Sequence, residues 1–214
     1  MNPSQRRRPH GWRTTHGQTL VEFALILPLF MVLLMGIIEF AFMFNAVLTT
    51  NYATRDASLV AAEAGSADGA DCLIIAAALA DMTAPVDSAK VSRIIIYRAN
   101  PAGNPVSGSY TGSGNVYDHT GSMDCSAFGG PASVPFSLTS SNYPEGLPNL
   151  QTGFGGRCNF LNGCPSNLSR TRDAVGVQIT YAYTWHTPLV NFINFGGGGI
   201  TITRSNEMRM EPVL

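Results

Sequence analysis

Residues 20–47 read LVEFALILPLFMVLLMGIIEFAFMFNAV, and this stretch decides the architecture of the chain. Its only charged residues are Glu22 and Glu39. A helix of about 20 apolar residues is long enough to cross the roughly 30 Å hydrocarbon core of a bilayer. We therefore predict a membrane-spanning helix over residues 18–47. The two carboxylates lie near opposite ends of this span, where a charge costs little.

A short basic leader precedes the span. Residues 1–17 contain Arg6, Arg7, Arg8 and Arg13 and no acidic residue. Basic residues beside a span favour the cytoplasmic side, so we expect a cytoplasmic N-terminus and a domain outside the membrane. The apolar region of an ordinary cleaved signal peptide has only about 7–15 residues. An uncleaved anchor, or cleavage before the apolar run, therefore fits better.

Charge and composition set limits on the function of the rest of the chain. The 214 residues carry a formal net charge of −1, and the part after the four leader arginines carries −5. A nucleic-acid-binding domain would have the opposite sign, so we expect no nucleic-acid partner. Charged residues make up only 13% of the chain, whereas Gly occurs 22 times. This balance favours an extracytoplasmic protein with long loops.

Two helices are predicted at the start of the outer domain, which we place over residues 48–98 together with one strand. Residues 45–64 contain no Pro or Gly, so the membrane helix should continue outside the bilayer and stop at Gly65. A second helix is predicted over residues 70–82, before Pro85.

Three strands are predicted from β-branched and alternating patterns. Residues 91–98 read VSRIIIYR, which is typical of a buried strand. Residues 174–185 alternate apolar and polar side chains, and residues 200–210 alternate again. The last two strands form the C-terminal segment 173–214 and should pair with each other. The predicted fold class is α+β, with a long helix laid on a small antiparallel sheet.

A Gly-, Ser- and Pro-rich insertion is predicted over residues 99–172. A segment of this length without clear periodicity is uncommon inside a compact domain. We expect it to be extended and partly ordered, with short strands near residues 116–117 and 135–138.

Four cysteines follow the span, namely Cys72, Cys125, Cys158 and Cys164. An even number outside the cytoplasm favours disulfides. The short separation favours a Cys158–Cys164 bridge, which leaves Cys72 to pair with Cys125. The other two pairings and free thiols stay open. A zinc site is the weaker alternative because the sequence has no C-x-x-C motif and no cluster of histidines, so we expect no metal.

The search for an active site yields no catalytic candidate. His119 lies near acidic residues and His186 follows a predicted strand, and both are more typical of solvated surface histidines. The sequence has no nucleophile elbow, phosphate-binding loop, dinucleotide fingerprint or zinc-protease motif. We therefore expect no catalytic residue and no cofactor, and we expect the chain not to be an enzyme.

The junction between the leader and the span carries a resemblance to a known class. Residues 16–23 read HGQTLVEF, so a basic leader ends in Gly and Glu stands five residues later. This resembles the processing site of type IV pilins and pseudopilins. The resemblance implies that a prepilin peptidase cuts between Gly17 and Gln18. It also implies that Glu22, the fifth residue of the mature chain, pairs with the new N-terminal amine of a neighbouring subunit.

The wider string GQTLVEFALILPLFMVLLMGIIEFAFMF resembles the TadE-like family of tight-adherence, or Flp-type, pilus assembly proteins. The resemblance includes Glu39 near the end of the span and the sequence NYATRDA at residues 51–57. It extends loosely to the tail RMEP at residues 209–212. The middle of the chain is unmatched.

The resemblance implies a minor pilin or pseudopilin-like component of the bacterial inner membrane. Such a component acts by structural packing, with Glu22 and Glu39 as assembly residues. Its implied partners are a prepilin peptidase, other pilin-like subunits, inner-membrane platform proteins and the lipid bilayer. The C-terminal domain would be periplasmic or extracellular. The alternative hypothesis is a membrane-tethered binding module whose Gly-rich insertion binds a surface ligand.

Overall fold

The computed structural model describes residues 16–65, 69–143, 148–149, 153–154, 174–188 and 199–209. Two α-helices are present, α1 (His16–Ala64) and α2 (Ala70–Asp81), together with short 3-10 turns at Ser88–Lys90 and Ser126–Phe128. The strands are β1 (Val91–Ala99), β2 (Gly114–Asp118), β3 (Ser137–Ser141), β4 (Pro148–Asn149), β5 (Gly153–Phe154), β6 (Ala174–Tyr183) and β7 (Ile200–Arg209). The architecture is the predicted one, a long N-terminal helix followed by an antiparallel sheet.

Helix α1 has 49 residues and is about 74 Å long at about 1.5 Å per residue. It continues through Pro28 and ends at the predicted position. Gly65 takes a left-handed backbone with φ of 56°, and its N–H donates to the carbonyl of Ala61 over 3.1 Å. Gly adopts this conformation without steric cost, so the sequence stops the helix there.

Five antiparallel strands form one sheet in the order β3-β2-β1-β6-β7, and β4 pairs with β5 separately. β6 and β7 pair along their full lengths, from Ala174 opposite Arg209 to Tyr183 opposite Ile200. β2 and β3 lie inside the segment that the sequence assigned to a separate insertion. The short strands predicted near residues 116–117 and 135–138 overlap β2 and β3. In the structure β2 pairs with β1 and β3 pairs with β2, so both strands extend the sheet.

One face of the sheet packs on the helices. Helix α1 lies against β6, β7 and α2. Most of its buried positions are small, and the apolar ones are Ala46, Ala53, Ala57 and Ala61. Small side chains let the helix approach the sheet closely, while the large buried residues come from the strands. These include Ile94, Ile96, Ile179, Tyr181 and Tyr183.

The opposite face of the sheet is covered by the chain between β1 and β2. Tyr97 is fully buried there and contacts Tyr110 edge to face at 4.9 Å. Gly176 lies directly under the Tyr97 ring, so a side chain at that position would overlap it. The alternation of residues 174–185 is that of a strand with one buried face. In the structure Gly176 and Gln178 on the second face are buried as well, whereas Ala182 on that face is exposed.

A buried carboxylate ties α2 to the sheet. Asp71, in the first turn of α2, accepts hydrogen bonds from Asn115 Nδ2 at 2.8 Å and from Tyr117 Oη at 2.7 Å. A carboxylate near a helix N-terminus also interacts favourably with the helix dipole. These contacts fix the start of α2 against β2.

Two carboxyl groups meet where α1 and α2 pack. Burial, followed by the charge of Asp56 on α1, raises the pKa of Asp81 at the end of α2. With a raised pKa, the folded chain binds the proton more tightly than the unfolded chain does. The pair therefore favours folding at low pH, and this contribution is lost as pH rises through the folded-state pKa of Asp81.

Asp81→Asn should consequently stabilise the chain at neutral pH, because it removes the repulsion from Asp56. The gain should shrink towards zero in acid, where the Asp81 carboxyl is already protonated. Thermal unfolding of the full chain in detergent, at neutral and at acidic pH, measures the gain in stability at each pH. Glu63→Gln, which neutralises an exposed acid on α1, is the matched control. An equal gain at both pH values would contradict the coupling.

Candidate functional site: the two glutamates of the long helix

Glu39 is buried although it lies in the most apolar part of α1, with only 4% of its surface exposed. Its carboxylate accepts a hydrogen bond from Tyr183 Oη at 2.5 Å. It also accepts from the backbone N–H of Thr187 at 2.7 Å and from that of His186 at 3.1 Å. Charge-assisted hydrogen bonds of this kind compensate for burying a carboxylate. The end of β6 therefore binds the helix through Glu39.

The residues that follow β6 are positioned to contact the Glu39 carboxylate. β6 ends at Tyr183, and the following residues cross α1 with two backbone N–H groups pointing at the carboxylate. The His186 ring stacks on Phe42 of α1 at 4.9 Å. Burial, and then the hydrogen bond to Glu39, raises the pKa of Tyr183, so its phenol stays protonated and donates.

Glu39 also marks a sharp boundary along α1. The large apolar side chains from Leu20 to Ile38 are exposed except that of Met35, which is half-buried, whereas Glu39 and Ala46 are buried by the domain. Within the described part of the chain, one helix, Gly17–Ala64, is long and apolar enough to cross a membrane. The exposed apolar run before Glu39 is the part of this helix that a bilayer would surround.

Glu22 lies in a different environment. It is exposed, and its carboxylate accepts a hydrogen bond from Gln18 Nε2 at 3.1 Å, one helical turn away. At about 100° per residue, Glu22 points about 100° away from Glu39 around the helix axis. It shares its side with Phe40, five full turns along. The domain therefore contacts Glu39 and leaves the side of Glu22 open.

The structure contains the Cys72–Cys125 disulfide, with Cα atoms 5.7 Å apart. Both cysteines are buried, and the bond joins α2 to the loop between β2 and β3. Cys158 and Cys164, the other predicted pair, lie outside the described residues.

The two histidines considered on sequence grounds have structural contacts. His119 Nδ1 hydrogen-bonds to the Val91 carbonyl at 2.9 Å, and its ring stacks on the buried Phe136 at 5.0 Å. Beside it, Arg93 Nε donates to Asp118 at 2.6 Å and holds the pKa of that carboxyl below its usual value. No group of three or more His, Cys, Asp or Glu side chains suited to a metal occurs among the residues that the structure describes.

Sequence reasoning found Glu22 and Glu39 but missed the partners of Glu39. Tyr183, His186 and Thr187 lie more than 140 residues further along the chain. One signal was available: Tyr183 falls on the buried face of an alternating strand, and a buried phenol needs a hydrogen-bond partner.

These observations indicate a class, a membrane-anchored protein whose described part has one helix able to span a bilayer, with an α+β domain packed directly on that helix. The family model described as TadE-like protein matches residues 17–59. The match covers the exposed run, both glutamates and the start of the domain contact, and it confirms the resemblance to the TadE-like family found in the sequence. Comparison with curated proteins and with solved structures gave no match. The family match and the apolar helix together fit a pilus-associated membrane component.

Proposed function

We propose that this chain is a pilin-like component of a tight-adherence pilus or a related secretion assembly of the bacterial inner membrane. Its leader is cytoplasmic, and a prepilin peptidase cuts between Gly17 and Gln18. The mature chain works by packing its helix against other pilin-like subunits and platform proteins, and it performs no catalysis. The family match over the helix and an exposed apolar surface on its open side support this proposal.

An apolar stripe on the open side of α1 is the observation that carries the proposal. The side chains of Phe44, Leu48, Tyr52 and Leu59 follow one another along the helix and are exposed, Leu48 by 39% and Tyr52 by 58%. At about 1.5 Å per residue, Leu48 lies about 14 Å beyond Glu39 and Leu59 about 30 Å beyond it. Lipid tails cannot reach this far, and large apolar side chains exposed along one side of a helix favour a protein interaction site, which here also includes the exposed Arg55 between Tyr52 and Leu59.

The stripe continues the side of the helix that carries Glu22. Phe40 lies on that same side and stacks on Phe44, with ring centroids 6.4 Å apart. A neighbouring helix could therefore contact this side from the start of the span to Tyr52, with Leu59 two turns further on, beyond the exposed Arg55. The occupant we propose is the equivalent helix of another pilin-like subunit, with Glu22 paired to its N-terminal amine.

Cysteine cross-linking in native membranes tests the proposal. Leu48→Cys should form a cross-link to a second pilin-like subunit, whereas Ala102→Cys, which is exposed on a loop of the sheet, should not. Adding Glu22→Ala should reduce the Leu48→Cys product about tenfold or more, since an unpaired charge costs more than 1.4 kcal/mol in low dielectric. Equal cross-linking from both cysteines, or no dependence on Glu22, would contradict it.

A further inference from the structure

One end of the domain is fixed at the level of Glu39. β6 runs towards that end and finishes at Tyr183, which hydrogen-bonds to the glutamate. β1 is antiparallel to β6, so its first residue, Val91, lies beside Tyr181 at the same end. We call this the membrane-proximal end, and among the described residues its surface includes Phe42, Lys90, Thr184, Trp185 and His186.

The length of the exposed helix sets the height of this end above the bilayer centre. The exposed run from Leu20 to Ile38 has 19 residues, which span about 28 Å, close to the roughly 30 Å hydrocarbon core. Including both headgroup layers, a bilayer is about 40–45 Å thick, which leaves about 5–7 Å of headgroups on each side. Glu39 thus lies at the boundary between hydrocarbon and headgroups. Because His186 and Thr187 hydrogen-bond directly to it, no linker separates the domain from the headgroup layer.

The side chains at this end have the character of an interfacial belt. Trp185 is half-buried and packs edge to face on Tyr183 at 5.8 Å, with its indole Nε1 buried, so its ring carbons form the accessible part of the side chain. His186 is exposed beside Phe42. Rings with an apolar body and a polar tip suit the level of the headgroups, and the exposed His186 presents such a ring at this end.

Lys90, the single lysine of the chain, supplies the positive charge of this end. Its Nζ donates one hydrogen bond to Thr184 Oγ1 at 2.6 Å. An ammonium group has three N–H donors, so two are available to a phosphate. The nearby cation Arg93 is bound to Asp118, and Asp87 accepts from the backbone N–H of Ala89. Lys90 is therefore the cation placed to contact a headgroup.

We propose that the membrane-proximal end is a docking surface for phospholipid headgroups of the bilayer that α1 crosses. Trp185 and His186 lie among the headgroups and the Lys90 ammonium binds their phosphates. The domain is consequently held upright on the membrane in one orientation, with the apolar stripe of α1 turned outward. This contact depends on the lipid and the described end of the domain, and it requires neither processing at Gly17 nor a pilus.

Fluorescence quenching in vesicles tests this docking. The chain has two tryptophans, Trp12 and Trp185, so Trp12→Phe leaves Trp185 as the sole emitter. The full chain is reconstituted in phosphatidylcholine vesicles doped with a phosphatidylcholine that carries a nitroxide on its headgroup. Trp185 should lose about half of its fluorescence or more, because it lies within the headgroup layer of about 5–7 Å.

Two variants make the result decisive. With both native tryptophans replaced by Phe, Val106→Trp places the emitter on the exposed loop at the far end of the sheet, where quenching should be small. Lys90→Glu in the Trp12→Phe background should reduce Trp185 quenching, while its emission in detergent stays unchanged because the fold is intact. Equal quenching at Trp185 and at the Trp introduced at position 106 would overturn the proposal. Quenching of Trp185 that does not respond to Lys90→Glu would also overturn it.

Discussion

Glu39→Ala should destabilise the packing of the domain on α1 by about 2–4 kcal/mol. The change removes the acceptor of Tyr183 Oη and of the His186 and Thr187 N–H groups. Each buried donor left without an acceptor costs about 1–3 kcal/mol, and part of this is recovered by water near the membrane surface. Hydrogen exchange of residues 184–188 in the full chain measures the effect directly, since the two amides should exchange faster.

A glutamate that only marks the end of the membrane span would behave in the opposite way. Replacing it with Ala would make the span more apolar and would leave the domain unchanged or slightly more stable. Glu63→Gln is the matched control, because Glu63 is an exposed acid on the same helix. Unchanged exchange at His186 and Thr187 in Glu39→Ala would contradict the role assigned to this carboxylate.

Removal of the Cys72–Cys125 disulfide has the second large expected effect. The bond closes a sequence separation of 53 residues, and constraining a loop of that length in the unfolded chain contributes about 4 kcal/mol in the entropic description. We expect the double variant Cys72→Ala/Cys125→Ala to lose about 2–4 kcal/mol of unfolding free energy. Denaturant unfolding of the full chain in detergent provides the measurement.

Single replacements distinguish the effect of losing the disulfide from the effect of changing a cysteine side chain. Cys72→Ala alone should lose nearly as much stability as the double variant, and it should expose one new reactive thiol, that of Cys125, on unfolding. Ser122→Ala, in the same loop but exposed, should change the unfolding free energy by only about 0.5 kcal/mol. A double variant as stable as Ser122→Ala would show that the bond contributes nothing to folding.

The elements with strong local patterns could be predicted from the sequence. The end of α1 follows from Gly65, and β1, β6 and β7 follow from β-branched and alternating residues. The strand β3 reads SLTSS and carries little of this pattern. The sequence therefore indicates only a short strand near residues 135–138, whereas the extent of β3 to Ser141 comes from its partner strand.

The candidate site also has one part that the sequence predicts and one part that depends on distant residues. The position of Glu22 and Glu39 in an apolar run is visible in the sequence, and so is the motif around Gly17. The binding of Glu39 by Tyr183 joins residues 144 positions apart, and two of the other donors are backbone groups, which carry no sequence signature. The fold therefore had to be known before Glu39 could be recognised as the contact between helix and domain.

N-terminal sequencing and intact-mass analysis of the protein from its native membrane test the central claim most directly. If the chain belongs to a pilin-type assembly pathway, its mature form starts at Gln18 and lacks residues 1–17. Membranes from cells without the prepilin peptidase should contain the chain with its leader. A chain that keeps residues 1–17 in the presence of an active peptidase would contradict this account, and a membrane-tethered binding module would then be the better description.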